Sequence, residues 1–280
     1  MSTRPARRAG TGSRRVIGLL PAAGRARRIS PLPMSKELFP IGFVGEQGPL
    51  RSPKVAAGYL LERMSRGGVK EGFVILRPGK WDIPAYLGDG SSVGIRLAYL
   101  TVHVSLGVPF TLDQAYPFVR GETVALGFPD ILFWPENAYE VVLQRLWSSN
   151  ADVVLGLFPT DEPDKVGVVD VDEDGRVSGV YEKSGFTHLP YMWAIAVWGE
   201  RFTEFLHLFT GSAIHLGAAD TVGEQGVDDG KPLAETPIGD VIQAAVKSGL
   251  RVEAEIFRDG RYIDIGTPEN LLRAIRDQLP

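Results

Sequence analysis

Hydrophobic and polar positions follow one another along the first half of the chain in blocks that predict strands alternating with helices. Short apolar runs between turn residues predict buried strands at 16–21, 72–76, 95–100 and 123–126. Helices are predicted at about 52–64, 83–87, 112–119 and 137–146. The first of them is expected to begin at the Ser52-Pro53 pair, with proline at the first helical position. This alternation predicts a mainly parallel sheet with helices on both faces.

The second half has more strands than helices. Strands are predicted at 153–158, 166–171, 177–182, 192–198, 251–256 and 262–265. Thr236-Pro237 and Thr267-Pro268 each predict the start of a helix, and the polar, glycine-rich stretch 211–231 predicts a mobile loop. The expected fold class is therefore α/β, a Rossmann-like mixed sheet flanked by helices with β insertions, in a single domain over residues 14–280.

Composition excludes several classes of protein and of site. Of 280 residues, 44% are hydrophobic and 23% charged, which is ordinary for a globular protein. The chain has no cysteine, which excludes disulfides, thiolate zinc sites, iron–sulfur clusters and a cysteine nucleophile. No apolar run approaches the roughly 20 residues that span a bilayer, and the run after the basic N-terminus is too short for a signal peptide. We therefore expect a cytoplasmic protein with no membrane partner.

Positive charge is concentrated near the N-terminus. Residues 1–36 hold eight arginines, one lysine and no acidic residue, and the remaining 21 basic and 34 acidic residues give the rest of the chain a net charge of −13. Residues 1–13 are predicted to be a disordered basic tail. Nucleic acid is not an expected partner, because the body is acidic and has no repeat of basic and aromatic residues.

The first predicted strand ends in a small-residue turn rich in arginine, Pro21-Ala22-Ala23-Gly24-Arg25-Ala26-Arg27-Arg28. Small residues let the backbone approach a ligand, and arginines donate charge-assisted hydrogen bonds to phosphate. The carboxyl edge of a parallel sheet is also where such folds bind ligands. Taken alone, the loop predicts a phosphate site about as well as it predicts a solvated basic turn.

Six further motifs, in order, give the chain a wider resemblance. They are Ser35-Lys36-Glu37-Leu38-Phe39-Pro40, Leu87-Gly88-Asp89-Gly90-Ser91, Leu126-Gly127 with Asp130, Val166-Gly167-Val168-Val169, Glu182-Lys183 and Tyr262-Ile263-Asp264-Ile265-Gly266-Thr267-Pro268-Glu269, with Gln114-Ala115 between the second and third. With the Pro21–Arg28 loop, this series resembles the sugar-1-phosphate nucleotidyltransferases, or nucleotide-sugar pyrophosphorylases. The resemblance covers residues 16–276 and is to the glucose-1-phosphate thymidylyltransferases and the UTP–glucose-1-phosphate uridylyltransferases.

The resemblance implies a reaction between a sugar 1-phosphate and a nucleoside triphosphate that releases pyrophosphate. The sugar phosphate would attack the α-phosphorus in line, so catalysis would be positioning and electrostatic stabilisation. Mg²⁺ suits such chemistry, because it binds one or two carboxylates together with substrate phosphates. The sequence leaves open which sugar and base are used, with glucose 1-phosphate and dTTP or UTP favoured, and it leaves open a homo-oligomer.

The family's functional positions map onto ten residues. They are catalytic Arg28 and Lys36, nucleotide-binding Ala23, Gly24 and Gln114, sugar-phosphate-binding Gly167, Glu182 and Lys183, and metal-binding Asp130 and Asp264. Each also has a simpler interpretation, such as surface charge for the basic residues, a turn carboxylate for Asp130, or a helix-surface amide for Gln114. The four histidines show no metal-ligand spacing and are interpreted as core or surface residues.

The phosphate loop also departs from the family pattern. Ala26 replaces a glycine, so a positive φ there would be costly, and Arg27 replaces a hydroxyl residue. These departures motivate two alternatives. One is a non-catalytic sugar-nucleotide-binding regulatory subunit, and the other is a glycosyltransferase of related fold.

Overall fold

The computed structural model of the protein describes residues 15–44, 52–103, 106–183, 185, 188–217, 227–228, 231–232 and 235–277. Its strands are β1 (Val16–Pro21), β2 (Pro40–Val44), β3 (Ser52–Val55), β4 (Glu71–Leu76), β5 (Arg96–Thr101), β6 (Thr123–Gly127), β7 (Ile131–Trp134), β8 (Val153–Pro159), β9 (Gly167–Val171), β10 (Val177–Glu182), β11 (Tyr191–Trp198), β12 (Val227–Asp228), β13 (Lys231–Pro232), β14 (Val252–Ile256) and β15 (Arg261–Asp264). Its helices are α1 (Ala56–Arg66), α2 (Asp82–Leu87), α3 (Val108–Asp113), α4 (Tyr116–Val119), α5 (Ala138–Ser148), α6 (Glu200–Gly217), α7 (Ile238–Lys247) and α8 (Pro268–Arg276).

A mixed sheet of nine strands forms the centre of the described structure. Its order is β10-β9-β11-β6-β1-β4-β5, with β8 paired to β11 and β14 paired to β8. β1 is parallel to β4 and β6, β4 to β5, and β8 to β14, whereas β11 is antiparallel to both β6 and β8. β1, β4, β5, β6, β8 and β14 therefore share one direction, and their carboxyl ends lie at one edge. This confirms the predicted α/β class with a mainly parallel core.

Apolar side chains pack on both faces of the sheet, as the sequence predicted. On one face α1 and α5 bury residues such as Leu60 and Val142, and on the other α3, α6 and α7 bury residues such as Phe202 and Val241. Apolar positions at helical spacing account for this, because they place one face of each helix against the sheet. None of the helices in the described part of the chain combines the length and apolar character needed to cross a bilayer.

Three predictions about local structure are wrong. Ser52-Pro53 does not begin a helix but lies in β3, which pairs with β2 as a hairpin, and the helix starts at Ala56. The helix predicted at 112–119 is instead two short helices, α3 and α4. Residues 211–217 belong to α6 and not to a loop, because α6 packs Phe202 and Leu206 into the core and so continues into the polar stretch.

Some predictions fall outside the described residues, and one pairing was missed. The tail at 1–13 and most of 218–231 lie outside them. The sequence did not predict β7, which pairs antiparallel with β15 in a separate ladder and buries Leu132 and Ile263 beside α8. That pairing positions the site, because it joins the chain after β6 to the chain near the C-terminus.

Candidate active site

The loop after β1 keeps the backbone close to the neighbouring strand. Ala22 N donates a 2.8 Å hydrogen bond to the carbonyl of Ile75 at the end of β4. Ala26 has a φ of 51°, so the positive φ anticipated for this position is present on a residue with a side chain. A left-handed conformation costs roughly 1–2 kcal/mol for a non-glycine residue, which means that this loop carries backbone strain at the edge where ligands bind.

The distant predicted residues Arg28, Lys36, Asp130 and Asp264 come together at this edge. Lys36 forms an ion pair with Asp130, and both side chains are only 15% exposed. Arg28 Nη2 lies 3.7 Å from Asp264 Oδ2. The β7–β15 ladder brings the aspartates together, since Asp264 pairs with Ile131 and Ile265 N donates to the carbonyl of Asp130 at 3.0 Å.

Burial shifts the pKa values in this cluster, although each carboxylate has a basic partner. Burial, and next the charge of Asp130, raise the pKa of Asp264, although Gly266 N donates a 2.8 Å hydrogen bond to its Oδ1. Burial lowers the pKa of Lys36, but Asp130 more than offsets this, so the net shift of that pKa is upward. The ammonium of Lys36 thus stays charged beside Asp130, whereas the counter-charge of Asp264 is the more distant and exposed guanidinium of Arg28.

The aspartate pair fits a divalent cation on this evidence. Two neighbouring carboxylates, one with a raised pKa, are stabilised when a cation lies between them. The described residues contain no group of three or more His, Cys, Asp or Glu side chains placed to hold a metal. Such a two-carboxylate set suits Mg²⁺, which keeps waters and substrate phosphates as its other ligands.

Three adjoining cavities surround this cluster. Cavity A, of about 410 Å³, lies under the β1 loop, and its lining includes Gly24, Arg25, Ala26, Lys36, Arg77, Lys80 and Asp82. Cavity B, of about 240 Å³, is lined by residues that include Ala23, Gly24, Arg25, Lys36, Glu37, Arg77, His103, Gly107, Thr111, Asp130 and Glu235. Cavity C, of about 360 Å³, is lined by residues that include Asp130, Lys165, Gly167, Glu182, Lys183, Trp193, Glu235, Tyr262 and Asp264. Lys36 borders A and B, and Asp130 borders B and C, so their ion pair lies where the cavities meet.

The predicted sugar-phosphate residues all line cavity C. Lys183 directly follows β10, has a φ of 45° and is exposed beside the cavity. Glu182 accepts a 3.3 Å hydrogen bond from Trp193 Nε1, and burial raises the pKa of its carboxyl. A Cβ on Gly167 would lie 2.7 Å from both Glu182 Oε1 and Trp193 Nε1. Gly167 therefore makes room for this carboxylate and indole, and not simply for a ligand.

Gln114 is not brought to any of these three cavities. It follows α3, is exposed, and its amide nitrogen donates a 3.4 Å hydrogen bond to the carbonyl of Phe110 in the same helix. The residues near cavity B on this side are instead His103 and Gly107, after the carboxyl end of β5. The sequence carried a signal for them, because residues after parallel strands collect at one edge.

Glu37 and Lys80 form a second buried ion pair that the sequence reasoning missed. The distance from Lys80 Nζ to Glu37 Oε1 is 2.6 Å, and the two side chains are 6% and 2% exposed. Burial lowers the pKa of Lys80 and raises that of Glu37, whose Oε2 has no hydrogen-bond partner among the described residues. The pair borders cavities A and B and so lies directly behind Lys36.

Residues 17–279 match the family described as Nucleotidyl transferase. A glucose-1-phosphate thymidylyltransferase of Mycolicibacterium smegmatis is 25% identical over 262 residues, which are 92% of this chain and 80% of that protein. The low-salt glycan biosynthesis nucleotidyltransferase Agl11 of Haloferax volcanii is 23% identical over 260 residues, 92% of this chain, which spans 64% of that longer protein.

Solved structures share the fold. UDP-glucose pyrophosphorylase in complex with UDP-glucose superposes with a TM-score of 0.72 at 16% identity, covering 94% of this chain and 98% of that one. The UTP-bound UGPase from Acinetobacter baumannii has a TM-score of 0.69 at 16% identity, covering 94% and 93%. At this identity the likeness establishes the architecture and not the substrate.

Proposed function

The chain belongs to the nucleotidyl transferase family and is an enzyme of that class, and we propose that it joins glucose 1-phosphate to dTTP or UTP. The predicted membership of the sugar-1-phosphate nucleotidyltransferases is confirmed by the family match and by relatives that include glucose-1-phosphate thymidylyltransferases. The names of those relatives support the choice of substrates. The products would be a nucleoside-diphosphate glucose and pyrophosphate.

One observation carries the proposal: Lys36, Asp130 and Asp264 converge at the junction of the cavities. Cavity B, beside Ala23 and Gly24, would take the nucleoside, and cavity C would take the sugar 1-phosphate. The α-phosphate would then lie beside the junction, where the ammonium of Lys36 offsets the negative charge that develops in the transition state.

In cavity C, the ammonium of Lys183 would bind the phosphate of the sugar, and the carboxylate of Glu182 would accept hydrogen bonds from its hydroxyls. These contacts hold the attacking oxygen in line with the α-phosphorus, which is the main source of rate in phosphoryl transfer. The nucleophile is already anionic, so no side chain has to remove a proton. Arg28 would contribute positive charge beside Asp264.

Asp130 and Asp264 would hold Mg²⁺, which supplies Lewis-acid stabilisation of the phosphate oxygens. This chain's own residues would supply the rest of the proposed mechanism, by positioning the substrates and by the positive charge of Lys36. Tyr262 beside Asp264 supports that positioning, because its hydroxyl lies 2.9 Å from the hydroxyl of Thr160 and so fixes the β15 end of cavity C.

A pyrophosphate-release assay over a panel of triphosphates and sugar 1-phosphates, with Mg²⁺, tests the proposal. We expect the highest kcat/KM for glucose 1-phosphate with dTTP or UTP. The strained Ala26 and the replaced Arg27 motivate the alternative of a regulatory subunit. Retained nucleotide-sugar binding without pyrophosphate release from any pair would favour that alternative, and transfer of sugar from a nucleotide sugar would favour a glycosyltransferase.

A further inference from the structure

Arg77 is a basic residue beside these cavities, and neither the family resemblance nor the mechanism above gives it a role. It is the first residue after β4, next to the loop that follows β1, and it lines both cavity A and cavity B. The same two cavities share Gly24, Arg25 and Lys36. Arg77 therefore lines the same two cavities as the loop that follows β1.

The protein leaves the guanidinium of Arg77 largely without partners. Among the described residues it forms no ion pair, its Nε is buried with no acceptor, and its Nη1 makes a long 3.3 Å hydrogen bond to the carbonyl of Pro78. The neighbouring lysines differ, because Lys80 is paired with Glu37 and Lys36 with Asp130. An under-satisfied guanidinium beside a cavity is suited to a ligand with several acceptor oxygens.

Cavity A carries the charge that such a ligand requires. Among the described residues, its lining holds the basic side chains of Arg25, Lys36, Arg77 and Lys80 against the one carboxylate of Asp82. That carboxylate already accepts hydrogen bonds of 2.6 Å and 2.8 Å from the backbone and hydroxyl of Ser35. Cavity B, by contrast, balances three basic residues with Glu37, Asp130 and Glu235.

The order of the cavities indicates which part of the substrate meets Arg77. Cavities A and C share no lining residue, and cavity B adjoins both. In-line displacement needs the leaving group on the side of the phosphorus opposite to the nucleophile. With the sugar phosphate in cavity C, the leaving pyrophosphate lies on the side of cavity A.

We propose that Arg77 binds the β- and γ-phosphates of the triphosphate, and then the released pyrophosphate, in cavity A. This assignment rests on the proposed function. The guanidinium would replace its missing acceptors with phosphate oxygens, and its planar fork suits two oxygens at once. Arg25, which is exposed and forms no ion pair among the described residues, would face the same phosphates from the β1 loop.

Calorimetric titration with inorganic pyrophosphate, in one magnesium-containing buffer, tests the assignment. The variants are Arg77→Gln, Arg77→Lys and the control Arg96→Gln. Arg96 is an exposed arginine at the amino end of β5, the strand beside β4, and it lines none of the three cavities. Titrations with dTMP and UMP report the nucleoside site, thermal unfolding reports folding, and wild-type pyrophosphate release is measured in parallel.

We expect Arg77→Gln to weaken pyrophosphate binding by at least about 10-fold, the effect of losing a charge-assisted hydrogen bond. Nucleoside monophosphate binding should stay within about 2-fold, Arg77→Lys should be intermediate because it keeps the charge without the fork, and Arg96→Gln should match the wild type. The assignment is overturned if Arg77→Gln binds pyrophosphate like the wild type, if it loses monophosphate binding equally, or if the wild type binds no pyrophosphate.

The parallel assay separates this inference from the proposed function. Wild-type pyrophosphate release with Arg77-independent pyrophosphate binding refutes the assignment of Arg77 alone. Arg77-dependent pyrophosphate binding in a protein that releases none from any substrate pair refutes the proposed reaction and leaves the anion site standing.

Discussion

The two ends of the sheet use the same charged residue types in opposite ways. At the amino end of β8 and β14, Glu253 accepts hydrogen bonds of 2.8 Å from Arg145 and 2.6 Å from Arg251. Asp152 there accepts bonds of 2.9 Å from Arg201 and 2.8 Å from the backbone of Arg251. The buried carboxylates of this end are satisfied by the protein itself.

At the carboxyl end, several charges are left incompletely paired. The pKa of Asp264 is raised by burial and by Asp130. Within the part of the chain that the structure describes, the second oxygen of Glu37 has no partner and the guanidinium of Arg77 makes one long hydrogen bond. Unpaired buried charge is costly in a folded protein. The comparison teaches that one end of the sheet pairs its charges within the protein, whereas the other leaves them incompletely paired, as the proposed binding of anionic substrates and a cation requires.

The backbone shows the same contrast. In the turn of the β9–β10 hairpin, the positive φ of +81° falls on a glycine, Gly175. In the loop after β1, a positive φ of +51° falls on Ala26. The first arrangement avoids strain and the second keeps it. Strain at the carboxyl end agrees with the view that positions near ligands are not optimised for stability.

The largest effect that tests this contrast is expected at the aspartates. Asp130→Asn and Asp264→Asn should each lower kcat by at least about 100-fold, because each removes a charge needed for transition-state stabilisation. Steady-state kinetics of pyrophosphate release measures this loss. The melting temperature should not fall in Asp264→Asn, because the substitution removes carboxylate repulsion. Turnover near the wild-type value in both variants would refute the metal assignment.

The matched change at the other end should do the reverse. Glu253→Gln removes the carboxylate shared by Arg145 and Arg251, and we expect it to lower the free energy of unfolding by about 2 kcal/mol. Urea denaturation measures the loss, and kcat below the melting transition should stay within about 2-fold. A large fall in kcat with unchanged stability would contradict the division between the two ends.

A smaller effect is expected from exchanging glycine and alanine at the two positions with positive φ. Gly175→Ala should cost more than about 1 kcal/mol, because its φ is +81° and a Cβ would lie 2.6 Å from Arg145 Nη2 and 2.7 Å from the carbonyl of Ala254. Ala26→Gly should stabilise the fold by about 0.5 kcal/mol, since relief of the positive φ slightly exceeds the entropy cost of glycine. Thermal unfolding measures the change in stability of both variants. A change of the same sign in both would contradict the proposed difference between the two backbone positions.

The last prediction concerns pH and the carboxyl of Glu182. Burial, opposed by the Trp193 hydrogen bond and reinforced by Asp240, raises the pKa of Glu182 above its ordinary value of 4.5. The folded state therefore binds more protons than the unfolded state in the window just above pH 4.5, so stability falls as pH rises through it. Relative to Glu182→Gln, the free energy of unfolding of the wild type should decrease across this window. A difference independent of pH would show that the carboxyl titrates normally.

Much of the fold could be predicted because local pattern and tertiary packing agree. One face of α7, with Ile238, Val241, Ile242 and Ala245, is buried, because these apolar residues recur at helical spacing. Thr267 caps α8 by accepting a hydrogen bond from Asn270 N. The prediction that a helix begins at Ser52-Pro53 is wrong because the same two residues also suit an edge strand. Pairing with β2 places them in a strand.

The sequence by itself determined the α/β class and most strand positions, because apolar spacing and turn residues act within a few positions of the chain. Its resemblance to a known family supplied the ten candidate site residues, nine of which line the three cavities or belong to the charged cluster beside them. Tertiary structure alone decided that Gln114 faces its own helix, that Gly167 leaves room for Glu182, and that the buried Nε of Arg77 has no acceptor among the described residues. Each of these depends on which atoms from distant segments meet, and pairing of charge and exclusion of volume are set only when the sheet has brought those segments together.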